Sequence, residues 1–298
     1  MSHQSYAEFM KKLGHKVVRT KSAWWFQGAG GIYAQFPWHE TITPTRTEID
    51  ALLGLTGTAA RYSCPGGTGR DSHFYVCDDP DYAIERLSSN TRSKVRRGMK
   101  RCAVNRVSFD DLQRLDAAEL SRETMQRQNR SAGPEHDAYW DRYFNAASET
   151  ESMEAWAAFN NDELAAWLIA CRFDDCINIS ILRSRRSLLS SYPNNALLFG
   201  FLKDAIARDG VSMVSFGWES IRPQLDSLDD FKLSMGFEKR SVGQRIEVNR
   251  FVRPILRGRI LRSLEGLAVR RSSRERFGLM AGMLRWYREQ SVTRSVQS

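Results

Sequence analysis

No stretch of the 298 residues approaches the ~20 consecutive apolar positions that a bilayer-spanning helix requires. The segment Met1 to Lys12 lacks the charged, apolar and small-residue regions of a secretory signal, so a cytoplasmic location is expected. Cysteine is scarce. The five present (Cys64, Cys77, Cys102, Cys171, Cys176) form an odd, scattered set, which speaks against a disulfide framework and for reduced thiols used as small core hydrophobes. The five histidines (His3, His15, His39, His73, His136) make no metal-spaced pair and no Cys-x-x-Cys occurs, so no metal site is expected. The Gly-x-Ser-x-Gly elbow of serine hydrolases is missing as well. Gly28-Ala29-Gly30-Gly31 leads into Ile32 to Phe36 rather than into a helix, which makes it a poor nucleotide-binding loop.

What remains is an ordinary globular composition, 42% hydrophobic and 27% charged, in a chain long enough for two domains. The formal net charge of +9 is unevenly placed. From Arg250 to Ser298 twelve arginines face three acids (Glu265, Glu275, Glu289), which accounts for the whole excess. The body before Arg250 is neutral, so a general affinity for nucleic acid is not expected of it, whereas the tail is fitted to an acidic partner.

Three apolar runs, Met153 to Phe159, Glu163 to Phe173 and Cys176 to Leu182, are separated by Asn160-Asn161-Asp162 and Asp174-Asp175, which is the chemistry of tight turns. This pattern predicts an antiparallel meander. Leu197, Leu198, Phe201, Leu202, Ala205 and Ile206 then recur at helical spacing, with Asn194 or Asn195 as the expected N-cap and Gly210 as the expected C-cap. A strand over Val211 to Phe216 and a helix over Ser227 to Met235 follow. Upstream, strands are expected at Ala23 to Pro37, Ala59 to Cys64 and His73 to Cys77. Helices are expected at Glu48 to Leu55, Asp81 to Cys102, Ser108 to Gln128 and His136 to Ala147.

The order meander, loop, helix, strand, helix, Gly236-Phe237 resembles the GNAT superfamily of acyltransferases. Ser215-Phe216-Gly217-Trp218-Glu219-Ser220 and Phe231-Lys232-Leu233-Ser234-Met235-Gly236-Phe237 make it similar to the Fem-type branch, over about Asp81 to Phe237. The resemblance implies a mixed α/β (α+β) fold, a GNAT-like sheet with flanking helices. It also implies two GNAT-like halves, residues 1–130 and 131–249, before a basic helical tail at 250–298.

The same resemblance implies acyl-CoA as co-substrate, its pyrophosphate resting on the loop Tyr192, Pro193, Asn194, Asn195, Ala196 at a helix N-terminus. The usual glycine-rich run is absent there, and Pro193 removes one donor. Lys232 stands five residues before Phe237, where many GNAT enzymes carry a tyrosine acid, and the Fem-like branch is also cationic at this position. Lys232 is therefore a candidate to stabilise the oxyanion or leaving group, the alternative being a surface lysine. Glu219 is the nearest carboxylate and a candidate general base or binder of the substrate ammonium, the alternative being a solvated loop acid. Trp218 and Ser220 are candidates to wall the acceptor pocket, and Arg92, on an arginine-rich helix, to touch substrate.

In the tail, Ile255, Leu256, Ile260, Leu261, Leu264, Leu267 and Ala268 recur at near-helical spacing among arginines. The pattern fits either helices packed on the body or a peripheral anchor on an anionic inner-membrane surface. The expected activity is transfer of an acyl group to an amine on a small molecule, peptide or glycan precursor. A tRNA-dependent aminoacyl transfer and a catalytically silent GNAT-like binding module stand as alternatives.

Overall fold

A computed structural model describes residues 2–127, 136–219, 221, 226–256, 258–270 and 275–296. Helix α1 (Ser2–Lys12) precedes strands β1 (Val17–Arg19), β2 (Trp24–Gln27) and β3 (Ile32–Phe36), helix α2 (Arg46–Leu53), and strands β4 (Ala59–Cys64) and β5 (Arg70–Cys77). Then come α3 (Ser89–Arg101), β6 (Ala103–Val107), α4 (Phe109–Arg114), α5 (Ala117–Arg127), α6 (His136–Ser148), β7 (Met153–Asn160), β8 (Glu163–Phe173) and β9 (Cys176–Ser184). The chain continues with α7 (Pro193–Ile206), β10 (Met213–Trp218), α8 (Asp226–Ser234), β11 (Glu238–Val248), α9 (Gly258–Arg270) and α10 (Glu275–Val296).

These elements form two compact units. The first comprises Met1–Leu13, Tyr75–Gly217 and Asp226–Glu238, and the second Gly14–Phe74, Trp218–Leu225 and Lys239–Ser298. The chain passes from one to the other within β5, β10 and β11. The partition differs from the boundaries at 130 and 249 drawn on the sequence because it depends on pairing between segments far apart in the chain.

In the first unit the strand order is β10-β9-β8-β7-β6. The predicted meander is present. Its β7–β8 turn places Asn161 and Asp162 at φ 48° and 65°, and Asp174 stands at φ 51° before β9, positive values that Asn and Asp tolerate better than most residues. Strand β8 is buried almost throughout, from Leu164 to Cys171, because both faces of the sheet are covered. On one face α7 lays Leu197, Leu198, Phe201, Leu202 and Ala205 onto Leu168, Ala170 and Ile177. On the other, Trp167 meets Trp140 edge-on at 5.2 Å and donates its indole N–H to the Ala117 carbonyl at 3.0 Å. Helix α1 joins this face through Tyr6 against Phe173 and Phe9 against Tyr143.

Several boundaries move from the sequence expectation, each for a local reason. Helix α3 starts at Ser89 rather than Asp81, because the Ser88 hydroxyl caps it by accepting from the Thr91 N–H. The single helix expected at Ser108 to Gln128 is two, broken at Asp116 with φ 54°. Ser108 and Asp111 form a capping box at the start of the first. Asn194 and Asn195 do not cap α7. Its N-cap is Tyr192, left-handed at φ 57°, because Pro193 occupies the first helical position where its missing N–H costs nothing. The helix ends at Ala207, not at Gly210.

In the second unit the order is β1-β2-β3-β4-β11, with β3–β4 parallel and the other pairs antiparallel. Helix α2 buries Ile49, Leu52 and Leu53 against Trp25, Tyr33 and Tyr62. The tail packs here too. Leu256, Leu261, Met283 and Trp286 form a second cluster with Ala59, Ile246 and Val248. Gln290 on α10 accepts from the Ile246 N–H at 2.9 Å and donates to its carbonyl at 2.6 Å, behaving as one more residue of a strand.

Candidate active site

The parallel pair β9–β10 is joined only at Cys176, Ile177 and Asn178 opposite Met213, Val214 and Ser215. Both strands run on past that point. Strand β9 continues to Ser184, and its register against β8 skips Ser180. Such a bulge bends a strand and re-aims its groups. Burial follows the geometry, since Cys176 to Ile179 are buried whereas Ser180 is exposed and Ile181 to Arg183 are half-buried. The sheet therefore opens into a notch whose one wall starts at Ser180 and whose other starts at Phe216.

Helix α7 begins beside this notch. Pro193 offers no N–H and the Ala196 N–H bonds the Tyr192 carbonyl at 3.1 Å, so the amides of Asn194 and Asn195 are the first-turn donors left for an anion. The Asn194 amide nitrogen donates to the Ser184 hydroxyl at 3.1 Å, and Arg127 donates to the same oxygen at 3.2 Å. Arg97 lies over the Tyr192 ring at 4.5 Å from its centroid. This arrangement rests on close packing of α3 on α7. A Cβ on Gly98 would stand 2.7 Å from the Tyr192 carbonyl oxygen. Arg92 is half-buried one and a half turns earlier on α3; Arg97 meets the Tyr192 ring, and Arg101 donates to the Ser190 carbonyl just before it at 2.9 Å.

Lys232, on α8, comes beside Phe216 of β10. It is 5% exposed. Its Nζ lies 4.1 Å from the Tyr75 ring centroid and 5.1 Å from that of Phe216, with Asp229 Oδ1 at 3.5 Å. Burial pushes its pKa down, and Asp229 opposes that only partly. Three residues on, Met235 accepts from the Asn195 amide at 3.4 Å, and its carbonyl accepts from the Tyr82 hydroxyl at 2.8 Å. Helix α8 thus ties the first turn of α7 to the wall that carries the cation.

Residues 89–232 match the family model described as an acetyltransferase (GNAT) domain. Over these residues the protein is similar to GNAT acetyltransferases. Its fold is shared by FemX, with a TM-score of 0.58 at 13% identity over 85% of this chain and 93% of that one. It is shared also by L-PGS from Bacillus licheniformis, at TM-score 0.51 and 10% identity over 81% and 86%. The C-terminal domain of a putative lysylphosphatidylglycerol synthetase from Agrobacterium fabrum superposes at 0.52 with 9% identity over 81% and 87%. No curated protein matches the chain.

Trp218, the last residue of β10, and Glu219 lie within the matched range but belong to the second unit. Trp218 donates its indole N–H to the Trp38 carbonyl and the Ser63 hydroxyl, at 3.0 and 2.9 Å. Arg61 lies over its ring at 4.3 Å and over Trp286 at 4.8 Å, and Arg70 covers Trp286 at 4.4 Å. Burial draws the Arg61 pKa down to about 9, which still leaves it cationic at neutral pH. The Glu219 carboxylate receives Arg70 in bidentate fashion, at 2.8 and 3.1 Å, and the Ser72 hydroxyl at 2.8 Å. Burial works to raise the Glu219 pKa, but these donors outweigh it and the net shift is downward. Ser220 lies outside the described residues.

Tyr75, Arg97 and Arg127 were not singled out by the sequence reading. Tyr75 sits in an apolar strand with no motif. Arg97 is distinguished from its neighbours on α3 only by its place beside Gly98, the small residue that lets α7 approach.

Proposed function

We propose that the protein is an N-acyltransferase that moves an acyl group from acyl-CoA directly onto the amine of a small molecule, peptide or glycan precursor. The observation that carries this reading is the buried ammonium of Lys232 beside Phe216, the first residue of β10 past its pairing with β9. The amine, after losing a proton to water, attacks the thioester carbonyl, and the π electron pair moves onto oxygen as the C–N bond forms. The C–S bond then breaks as the oxygen pair re-forms the carbonyl, the sulfur leaves as the thiol with the proton of Lys232, and the new amide nitrogen releases its surplus proton, through water, back to Lys232. Lys232 supplies positive charge to the oxyanion and a proton to the departing sulfur. Its removal from water strengthens the first effect, and its lowered pKa helps the second.

Direct transfer, rather than an acyl-enzyme, is supported by the state of the cysteines. All five are buried, and burial pushes the Cys77 and Cys171 thiols up to about 12, so neither supplies a thiolate near neutral pH. For the donor, the amides of Asn194 and Asn195, the dipole of α7 and the charge of Arg97 suit a pyrophosphate. Glu219 is assigned an anchoring role, because an ion-paired carboxylate with a lowered pKa is a weak base.

A second reading takes aminoacyl-tRNA as donor. It is favoured by the loss of one α7 donor at Pro193 and by the basic character of α3, with Arg92, Lys94, Arg96, Arg97, Lys100 and Arg101. Incubation of the protein and a pool of amines with labelled acetyl-CoA, longer acyl-CoAs or charged tRNA separates the two. Label arriving from a CoA thioester is the expected result, and label from charged tRNA alone transfers the assignment to the second reading. Absence of both binding and transfer would mark a silent module.

A further inference from the structure

Among the described residues, eight of the eleven exposed large apolar side chains fall between Phe251 and Met280. They are not scattered. Ile260, Leu264 and Leu267, 53%, 38% and 47% exposed, follow one another at intervals of four and three, so they lie on one face of α9. The neighbouring stripe of the same helix is occupied, with Leu261 and Ala268 buried and Glu265 paired to Arg288 of α10 at 2.8 Å. Helix α9 thus has one apolar stripe used in packing and a second left open. The turns before it add Phe251 and Ile255, 56% and 55% exposed.

This is also the segment that holds the entire net charge of the protein, twelve arginines against three acids from Arg250 onward. Arg250 is exposed and lies over the Phe251 ring at 4.8 Å. The combination selects the occupant. A second copy would set one strongly cationic segment against another, which costs free energy at every ionic strength short of full screening. An anionic lipid surface satisfies both features, the apolar stripe entering between headgroups and the arginines meeting phosphates. No described helix is long and apolar enough to cross a membrane, so the contact is one in the plane of the interface.

We propose that the open face of α9, with the turns before it, docks the protein on the surface of an anionic lipid bilayer. The inference stands on the second unit alone and does not depend on the transfer reaction. Its test is co-sedimentation of the full chain with vesicles of phosphatidylcholine, alone or mixed with phosphatidylglycerol, at low and high salt. The wild type and the triple variant Ile260→Ser, Leu264→Ser, Leu267→Ser are compared. The wild type is expected to sediment with the phosphatidylglycerol vesicles only, and to be released by salt. The variant is expected to lose partition by about tenfold or more, with an unchanged melting temperature and unchanged transfer to a soluble amine. Equal partition of the variant would overturn the proposal, as would a wild type indifferent to anionic lipid. A wild-type dimer that the triple variant converts to a monomer, seen by light scattering, would give the face to a second copy instead.

Discussion

The ammonium of Lys232 lies 4.1 Å from the centre of the Tyr75 ring. With Phe216 on another side and Asp229 nearby, the cation is removed from water yet held by two aromatic faces and one carboxylate. Such contacts are worth about 2 kcal/mol when desolvated, less than the several kcal/mol that burying an ion costs. Burying Lys232 therefore costs folding stability.

Replacing Lys232 by Met is accordingly expected to leave the melting temperature unchanged or raised, since an apolar side chain of similar volume meets no desolvation penalty. Turnover is expected to fall by about 10²-fold or more. A matched pair of measurements, thermal unfolding and kcat, checks the divergence. Loss of both together would make Lys232 a structural residue.

The pH dependence follows from the direction of the shift. Lys232 has a pKa below its ordinary value of 10.5 in the folded protein, so the unfolded chain binds more protons between the two values and stability rises with pH across that window. Turnover moves oppositely, falling as pH rises through the lowered pKa and the ammonium is lost. In Lys232→Arg that alkaline limb is expected to disappear from the kcat profile, because guanidinium stays charged.

Gly98→Ala tests the junction of α3 with α7. Alanine gains about 1 kcal/mol of helix propensity, but its Cβ would meet the Tyr192 carbonyl oxygen at 2.7 Å and the Ala196 Cβ at 3.1 Å. Overpacking against backbone costs about 1–3 kcal/mol. The net expectation is destabilisation by about 1 kcal/mol in urea titration, together with a raised KM for the donor and a smaller change in kcat.

Glu219→Gln separates anchoring from proton transfer. Removing a charge that Arg70 holds in bidentate fashion is expected to cost about 3 kcal/mol at neutral pH. Since its folded pKa is lowered, the Glu219 contribution is fully present above about pH 4.3 and is lost as pH falls through the folded value. The wild-type and variant melting temperatures should converge in acid. Turnover retained by the variant supports the anchoring role, and turnover lost at unchanged stability would restore Glu219 as the base.

What the sequence made legible was local. Turn residues at Asn161, Asp162 and Asp174 marked the meander, and the spacing of Leu197, Phe201 and Ala205 marked α7. Long-range pairing was hidden. Strand β11 reads as a polar stretch because Arg245 and Glu247 pair with each other and Glu247 pairs with Arg46, and its backbone partner β4 lies far upstream. The choice of Tyr192 over Asn194 as N-cap went against side-chain preference because Pro193 fixed the start of the helix. That Arg97 and Arg101 of α3 meet the segment entering α7 depends on the close approach at Gly98, which no spacing rule announces.

The decisive measurement is the fate of label from isotopically marked acetyl-CoA, read by mass spectrometry on the intact protein and on the amine pool in one time course. Direct transfer assisted by Lys232 predicts label on an amine product without a labelled protein species at any time, at a rate about 10²-fold higher for the wild type than for Lys232→Met. A labelled protein that decays as product appears, or equal rates for the two proteins, would contradict it.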